Sequence, residues 1–405
     1  MRILFVAMAE SVHTARWLRQ ISGEAWDLHL FDLIEGSVSA EIPSVHTYTV
    51  HPPPKGLAGR LNWRSDYPFR RGAGLIKTYS PPPLRKWMFP SRVETLANLI
   101  RELKPDIIHS LEMQNESYPL LEVKRSLGGY LGAPWIYSSW GSDIYYFRNF
   151  AEHREKIRAV LRSCDFHIAD SARDVALAVE NGFGGESLGV FPVTGSYDVE
   201  DMREFMAPGP VSTRRSIAVK GYEHWAGRAL TALRALELCA SHLRGYVIEI
   251  YLSDERVRSA SLELSTRSGL DVRIIDKAEN AEILKLFGRA RIGIALSITD
   301  GTPSTMLESM IMGAFPIQSD TISTAEWIMH GENGFLVAPE DPEQIATAIR
   351  MALEDDDLVD TAAEINHLAM LRRIDRSILQ PQITELYKKV YGSRTANCAP
   401  LPSRP

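Results

Sequence analysis

Short apolar segments alternate with longer, helix-like segments along most of this chain. An apolar run of roughly four to eight residues between turn residues predicts a strand, and helical periodicity between two such runs predicts a crossover helix. Strand, helix and strand, repeated in this way, indicate a parallel sheet with helices on both faces. The predicted strands of the first half lie at residues 3–8, 28–31, 45–50, 106–111, 135–139 and 166–169.

The alternation lapses once, at residues 195–210, where Met-Ala-Pro-Gly-Pro at 206–210 has the composition of an interdomain linker. A second series of strands and helices begins at Ser216. The predicted fold class is therefore α/β, with two doubly wound, Rossmann-like domains facing each other across a cleft. The predicted divisions are a first domain at 1–205, a second at 206–375, a terminal helix at 376–392 that packs back on the first domain, and a disordered tail at 393–405.

Composition argues against several classes of protein. The 405 residues carry a net charge of −6 with a pI near 6.0, whereas a general nucleic-acid binder needs a basic surface. Cys164, Cys239 and Cys398 are far apart and odd in number, so they indicate neither a disulfide framework nor a zinc site, and a reducing cytoplasm is expected. The first residues predict a strand rather than a signal peptide, and no apolar run approaches the roughly 20 residues of a membrane span.

The stretch of residues 292–317 carries the strongest functional signal. It begins with an apolar run that predicts a buried strand, and it continues as a predicted helix to about Gly313. Thr302 is the predicted N-cap, and Pro303 is the predicted first residue of the helix. A helix N-terminus at the carboxyl end of a parallel strand favours the binding of phosphate.

Two carboxylates flank this helix start. Asp300 lies in the loop before the helix, and Glu308 lies inside it. A carboxylate repels a phosphate but accepts hydrogen bonds from hydroxyls, so the pair fits a ligand that has a sugar on either side of a phosphate. The alternative is an Asp that caps the helix and a Glu that is solvated on its surface.

The surrounding residues favour the ligand-binding alternative. The two acids are separated by seven residues, and the second of them lies in Leu-Glu-Ser-Met at 307–310. Gly-Ala-Phe-Pro-Ile follows at 313–317, and Glu326 lies downstream. Together these features resemble the donor-site signature of the retaining, two-domain glycosyltransferases of family 4. That family usually has Glu at the first acid, where this chain has Asp300. The resemblance is strong over residues 216–354 and fainter over residues 1–200.

The resemblance implies a GT-B fold, with acceptor determinants in the first domain and the nucleotide-sugar site in the second. It implies a retaining, hexosyltransferase-type enzyme that needs no metal and no cofactor. The donor would be a nucleoside-diphosphate sugar of the UDP or GDP type, and the acceptor a hydroxyl of a glycan or a lipid-linked molecule. The expected setting is the synthesis of a cell-surface polysaccharide or glycolipid.

The resemblance also implies roles for particular residues of the second domain. Glu308 would hold the ribose hydroxyls, and Asp300 would contact hydroxyls of the transferred sugar. Lys220 and Arg228 would neutralise the departing diphosphate, with two exposed bases on a loop as the alternative. The further donor contacts expected are Gly301 and Thr302 at the turn, the amides of Ser304 and Thr305 at the phosphates, and main-chain groups near Ile275–Lys277 at the base.

The first domain departs from the family at one informative place. Where the family commonly has His-Gly-x-Asp, this chain has Trp140-Gly-Ser-Asp143. Trp140 cannot transfer a proton, so a His general base is excluded here. In the family the leaving phosphate itself is thought to accept the proton of the acceptor. Trp140 would stack on a sugar or lie in the core, and Asp143 would bind hydroxyls.

Other polar residues of the first domain are candidates for the acceptor side. Ser11 and His13 follow the first predicted strand, where relatives often have a Gly-rich loop that this chain lacks. Glu112 and Asn115 follow the strand that ends near residue 111. His109, inside that strand, is more typical of a core histidine that has its hydrogen bonds satisfied.

One further segment stands out by composition. Residues 55–92 contain many Arg and Lys residues, interleaved with Trp, Tyr and Phe, and a single acid, Asp66. Bases with interfacial aromatics suit an anionic membrane surface or a lipid-linked acceptor, so a peripheral contact with the inner membrane surface is expected. The alternative is a long loop that is packed by its own aromatic residues and prolines. No other part of the chain supports binding of nucleic acid.

Two other functions remain open from the sequence. A nucleotide-sugar epimerase of similar architecture would rearrange its donor without an acceptor, although it would need acid–base groups that Trp140 does not supply. A non-catalytic relative would bind a nucleotide sugar or a partner on the same scaffold. Product analysis without acceptor, and turnover assays across donors, separate these alternatives.

Overall fold

The structure is a computed structural model that describes residues 1–34, 38–49, 62–65, 91–276 and 279–397, with only the backbone at 62–65 and 394–397. The chain divides into two compact units. Unit 1 contains Met1–Ser196 together with the chain from Gln380 onward, and unit 2 contains Tyr197–Leu379.

Unit 1 is built on an eight-stranded sheet with the strand order β4-β3-β2-β1-β5-β6-β7-β8, and every pairing in it is parallel. Its strands are β1 (Arg2–Val6), β2 (Asp27–Phe31), β3 (His46–Thr49), β4 (Asn62–Ser65), β5 (Ile107–Leu111), β6 (Trp135–Ser138), β7 (Phe166–Ala169) and β8 (Glu186–Val190). The helices that connect them are α1 (Val12–Ile21), α2 (Arg92–Leu103), α3 (Tyr118–Ser126), α4 (Ala151–Leu161) and α5 (Ala172–Glu180).

Unit 2 repeats the plan with a six-stranded sheet in the order β11-β10-β9-β12-β13-β14, again with parallel pairing. Its strands are β9 (Ser216–Lys220), β10 (Val247–Tyr251), β11 (Asp271–Ile274), β12 (Ile292–Ala295), β13 (Phe315–Ser319) and β14 (Phe335–Val337). Its helices are α6 (Val199–Arg203), α7 (Ala229–Leu238), α8 (Glu255–Ser268), α9 (Asn280–Arg289), α10 (Ser304–Ile311), α11 (Pro342–Glu354) and α12 (Asp356–Arg373). The final helix, α13 (Arg376–Asn397), begins in unit 2 and belongs to unit 1 from Gln380 onward.

The strands form where the sequence is apolar without alternation, because each central strand is covered by helices on both faces. All five residues of β5 and all five of β13 are buried. The helices instead bury one stripe, as α2 does with Leu96, Ala97 and Ile100. Both sheets thus match the predicted α/β class with doubly wound parallel sheets.

The division between the units differs from the predicted boundary at residue 205. Unit 2 begins at Tyr197, because α6 packs on the second sheet rather than on the first. The prediction of a linker at residues 206–210 is wrong, since the Ala207 amide donates to the Gly288 carbonyl and the segment lies inside unit 2. The terminal helix also runs past the predicted end at residue 392, as far as Asn397, and residues 398–405 of the predicted tail lie outside the described residues.

The basic and aromatic segment at residues 55–92 falls almost entirely outside the described part of the chain. Of it, the structure gives the backbone of β4, the outermost strand of the first sheet, and the start of α2. Among the described residues, no helix is both long enough and apolar enough to cross a membrane.

Candidate functional site

The strand order reverses once in each sheet, between β1 and β5 in unit 1 and between β9 and β12 in unit 2. In a doubly wound sheet the helices on the two sides of such a reversal lie on opposite faces, which opens a crevice at the carboxyl ends of the strands. The sequence-predicted candidates are concentrated at these ends. Ser11, His13 and Glu112 follow β1 and β5, whereas Lys220 ends β9 and Asp300 follows β12.

In unit 2 the loop after β12 is held against the loop after β13. The Ser323 hydroxyl donates to the carbonyls of Asp300 and Gly301, at 3.1 and 2.8 Å, and the Asp300 carboxylate accepts from the Gly301 amide at 2.9 Å. Gly301 and Thr302 are buried. The prediction of Thr302 as N-cap is off by one residue, because Pro303 occupies the N-cap with extended φ and ψ and helix α10 begins at Ser304. A proline there gives α10 no side-chain cap, so its first turn lacks the usual internal acceptor.

Glu308 is buried inside α10, with 3% of its surface exposed. The prediction's alternative of a solvated helix glutamate is therefore wrong. The Asn280 amide donates to its carboxylate at 3.2 Å. Nearby, the hydroxyls of Tyr251 and Thr305 are buried beside each other, and neither has another protein group as a hydrogen-bond partner. Burial and the charge of Glu308 together raise the pKa of Tyr251 above its ordinary value. A buried carboxylate beside buried hydroxyls is suited to bind the hydroxyls of a ligand.

The two predicted cations of unit 2 differ in their surroundings. The Lys220 ammonium lies 5.1 Å from the ring centroid of Tyr222, and burial together with the charge of Asp300 raises the pKa of that tyrosine. Lys220 and Asp300 thus share Tyr222 as a neighbour. Arg228 instead pairs with Glu340 at 2.8 Å, and its amide donates to the Leu296 carbonyl at 3.0 Å. The Arg228 charge is therefore partly balanced by Glu340, an acid that no sequence motif singles out.

The predicted base-binding segment is only partly described. The Ile275 amide donates to the Ile250 carbonyl at 2.8 Å, so its hydrogen bond is made with a neighbouring strand. Lys277, at the end of the predicted segment, lies outside the described residues.

In unit 1, Glu112 is the N-cap of a short π-helix, Met113–Ser117, directly after β5. Its carboxylate accepts from the amides of Gln114 and Asn115, at 2.8 and 2.6 Å. Its backbone has φ 86° and ψ 150°, a region that is almost restricted to Gly and costs a few kcal/mol in other residues. Burial raises the pKa of Glu112 to about 7 despite these hydrogen bonds. Backbone strain and a carboxyl that titrates near neutrality are both typical of functional sites.

Asp143 lies close to Glu112 at the end of β6. It accepts from the Tyr137 hydroxyl at 2.9 Å and from the Trp140 amide at 2.8 Å. Burial, with the charge of Glu112, raises the pKa of Asp143 well above its usual range. The Trp140 ring packs edge-on against His13, with the centroids 5.5 Å apart, and the Trp140 indole N–H is buried without a hydrogen-bond partner. Trp140 is half-buried. This burial is intermediate between that of a core residue and that of an exposed ring that stacks on a sugar, the two predicted alternatives.

Of the remaining polar residues of unit 1 that the sequence singles out, Ser11 and His109 have structural roles. The Ser11 hydroxyl accepts from the His13 amide at 3.2 Å and caps α1. Asn115 is exposed. His109 is fully buried between the hydroxyls of Tyr387 and Ser138, at 2.7 Å from each, as expected for a core histidine.

Sequence reasoning missed two buried acids, Glu116 beside Glu112 and Asp32 beside Glu116. Both oxygens of Glu116 are buried, and burial, with the charges of Asp32 and Glu112, raises its pKa well above the ordinary value. One signal was available, because Glu112 and Glu116 are four residues apart and could share a helical face. The proximity of Asp32, which follows β2, comes only from the order of the strands.

Comparison with known families assigns both halves of the chain. Residues 231–355 match the model described as "Glycosyl transferases group 1", and residues 2–171 match the model described as "Glycosyl transferase 4-like". No curated protein matches the sequence.

Solved structures resemble the fold over almost the whole chain. HepE of Anabaena, solved with UDP and glucose, has 15% sequence identity and a TM-score of 0.65 over 98% of this chain and 100% of its own. Sucrose-phosphate synthase of Thermosynechococcus elongatus has 14% identity and a TM-score of 0.69 over 97% and 100%. The UDP-forming trehalose-phosphate synthase of Burkholderia xenovorans has 15% identity and a TM-score of 0.67 over 96% and 99%. At these identities the likeness concerns the fold, which is GT-B.

Proposed function

Because the chain belongs to the group 1 glycosyltransferases of GT-B fold, we propose that it moves a hexosyl group from a nucleoside-diphosphate sugar to a hydroxyl with retention of anomeric configuration. The observation that carries this proposal is the buried Glu308 with the buried hydroxyls of Tyr251 and Thr305, at the strand reversal of unit 2. The comparisons do not favour the epimerase or the non-catalytic alternative.

The donor would be held at both ends of its diphosphate. Glu308 would accept hydrogen bonds from the two ribose hydroxyls, and burial makes such charge-assisted bonds strong because little water competes for them. Asp300 would contact the hydroxyls of the transferred sugar from the loop that Ser323 fixes. The uncapped first turn of α10 would present the amides of Ser304 and Thr305 to phosphate oxygens.

Cleavage of the donor places negative charge on the departing diphosphate. Lys220, Arg228 and the positive end of the α10 dipole would stabilise that charge, which is the main task of a catalyst for this step. Arg228 would exchange its ion pair with Glu340 for one with phosphate. We expect no bound metal in the reaction, with the leaving phosphate as the proton acceptor.

The acceptor hydroxyl would bind at the carboxyl edge of unit 1. Glu112 titrates near neutrality, so it can either accept a hydrogen bond from a sugar hydroxyl or donate one to it. Asp143, His13 and Trp140 would complete this side, with the Trp140 indole N–H available to a ligand. We propose a glycan or lipid-linked acceptor, a UDP- or GDP-type donor, and a setting in cell-surface polysaccharide or glycolipid synthesis, with a peripheral membrane contact through residues 55–92.

The test is the replacement of Glu308 by Gln and by Ala, with Glu263→Gln as a matched control on the exposed face of α8. Two hydrogen bonds from ribose to a carboxylate contribute about 3–6 kcal/mol, so Glu308→Ala should weaken donor binding by roughly a hundredfold or more. Calorimetry with UDP- and GDP-sugars measures this affinity, and NMR of the product gives its anomeric configuration, with and without a chelator. Unchanged donor affinity and turnover in Glu308→Ala would refute the assignment.

A further inference from the structure

Three metal-binding side chains lie together in unit 1, towards the amino ends of β2 and β3. Asp27 and His29 are two residues apart on β2, so they project from the same face of the sheet. The parallel register pairs His29 with His46, the first residue of β3. One ligand atom of each residue lies within 4.8 Å of those of the other two. The amino ends of parallel strands form the edge opposite to that of the proposed acceptor residues.

Two of the three distances between ligand atoms bracket the spacing expected around a single metal ion. The Asp27 Oδ1 atom lies 2.9 Å from His29 Nε2 and 3.6 Å from His46 Nε2, and the two rings are stacked with centroids 4.6 Å apart. A tetrahedral zinc ion with bonds of about 2.0–2.1 Å separates its ligand atoms by about 3.3–3.4 Å. The His29 Nε2 atom is buried, and the Asp27 carboxylate lies directly beside it.

The ligand atoms are oriented by a second set of side chains. The Tyr48 hydroxyl lies 3.0 Å from His29 Nδ1, and the Arg2 Nε donates to Asp27 Oδ2 at 2.6 Å. These contacts involve His29 Nδ1 and Asp27 Oδ2. The other atom of each group, His29 Nε2 and Asp27 Oδ1, points towards the position of the ion. Metal sites use such outer contacts to fix the ring orientation and to raise the basicity of the ligand.

We propose that Asp27, His29 and His46 bind one divalent transition-metal ion of the zinc type. Two imidazole nitrogens and one carboxylate oxygen form a donor set that suits zinc and its first-row neighbours better than magnesium or calcium. The side chain of His29 is 6% exposed, whereas those of Asp27 and His46 are 36% exposed, so a water molecule can supply the fourth ligand. The ion links β2 to β3 and takes no part in sugar transfer.

The test uses the full chain without an affinity tag, stripped with a chelator and dialysed. Zinc titrated against a chromophoric competitor should bind with a stoichiometry of one per chain, and it should raise the melting temperature. His46→Ala should lose at least tenfold in zinc affinity. Tyr48→Phe removes only the outer hydroxyl and should lose about tenfold, in the range seen for outer-shell contacts.

His242→Ala is the matched control, because His242 pairs with an acid, Glu354, at 3.4 Å in unit 2, and no third ligand joins them among the residues that the structure describes. It should bind zinc as the unaltered chain does. If His46→Ala does not fold, Asp27→Asn gives the same comparison at a partly exposed position. The proposal is overturned if the unaltered chain binds no stoichiometric zinc, or if the variants at positions 27, 46 and 48 bind it as tightly as His242→Ala does.

Discussion

Glu112→Gln should remove a pH-dependent loss of stability. The folded-state pKa of Glu112 is raised to about 7 by burial, whereas an unfolded glutamate titrates near 4.5. Between these values the native chain holds a proton that the unfolded chain has released, so stability falls as pH rises. The contribution is fully present below the unfolded pKa and lost above the folded one. A difference of about 2.5 pKa units corresponds to roughly 3 kcal/mol.

The substitution also has an effect that does not depend on pH. Gln offers one acceptor oxygen, so either the Gln114 or the Asn115 amide loses its carboxylate partner, at a cost of about 1 kcal/mol or somewhat more. This cost shifts the whole curve without changing its slope. The diagnostic quantity is therefore the change with pH of the difference in free energy of unfolding between the variant and the unaltered chain.

Urea unfolding between pH 4.5 and pH 8, followed by tryptophan fluorescence, measures that difference. Trp17, Trp26, Trp63, Trp87, Trp135 and Trp140 precede residue 197, whereas only Trp225 and Trp327 follow it, so fluorescence reports mainly on unit 1. The variant should gain up to about 3 kcal/mol relative to the unaltered chain from the acid to the alkaline end. Glu122→Gln, on the exposed face of α3, controls for the loss of one charge. A difference that stays constant across this pH range would refute the reasoning that burial holds the proton on Glu112.

Two further substitutions test the packing around the candidate sites. Tyr387→Phe removes a hydroxyl that accepts a hydrogen bond from the Trp17 indole N–H at 2.8 Å and forms another with His109 Nδ1 at 2.7 Å. The free energy of unfolding of unit 1, measured in urea, should therefore fall by about 1–3 kcal/mol. Gly227→Ala places a Cβ 2.0 Å from the Tyr222 carbonyl oxygen, so the loop must move. The free energy of unfolding should fall by about 1–3 kcal/mol, which lowers the melting temperature. Calorimetry should also show weaker binding of the sugar nucleotide.

Each of these substitutions has a matched control. Tyr391→Phe alters a more exposed tyrosine on α13 and should leave stability nearly unchanged. Gly184→Ala adds a Cβ that meets nothing within 4 Å. If Tyr387→Phe is as stable as Tyr391→Phe, the buried hydroxyl network contributes nothing. If Gly227→Ala binds the donor as well as Gly184→Ala does, the loop after β9 is not part of the donor site.

The sequence by itself determined the fold class and the strand–loop–helix unit at residues 292–311 in which the proposed donor site lies. Both features depend on residues that are close together in the sequence. A strand buried on both faces needs a continuous apolar run, and a helix start needs a break in that run. Asp300 and Glu308 lie eight positions apart along one strand–loop–helix unit, so their neighbourhood was visible without a tertiary structure. The exact N-cap was not, because Thr302 and Pro303 both suit a helix start.

Only the tertiary structure decided which side chains are buried together. Trp17 and Tyr387 are 370 positions apart and yet share a hydrogen bond, because α13 returns to the first unit. Asp32 reaches Glu116 because the strand order places β2 near β5, and burial then shifts pKa values that no sequence pattern encodes. The same holds for Asp27, His29 and His46. Register across β2 and β3 brings them together, whereas the spacing of the cysteines gave no sign of a metal.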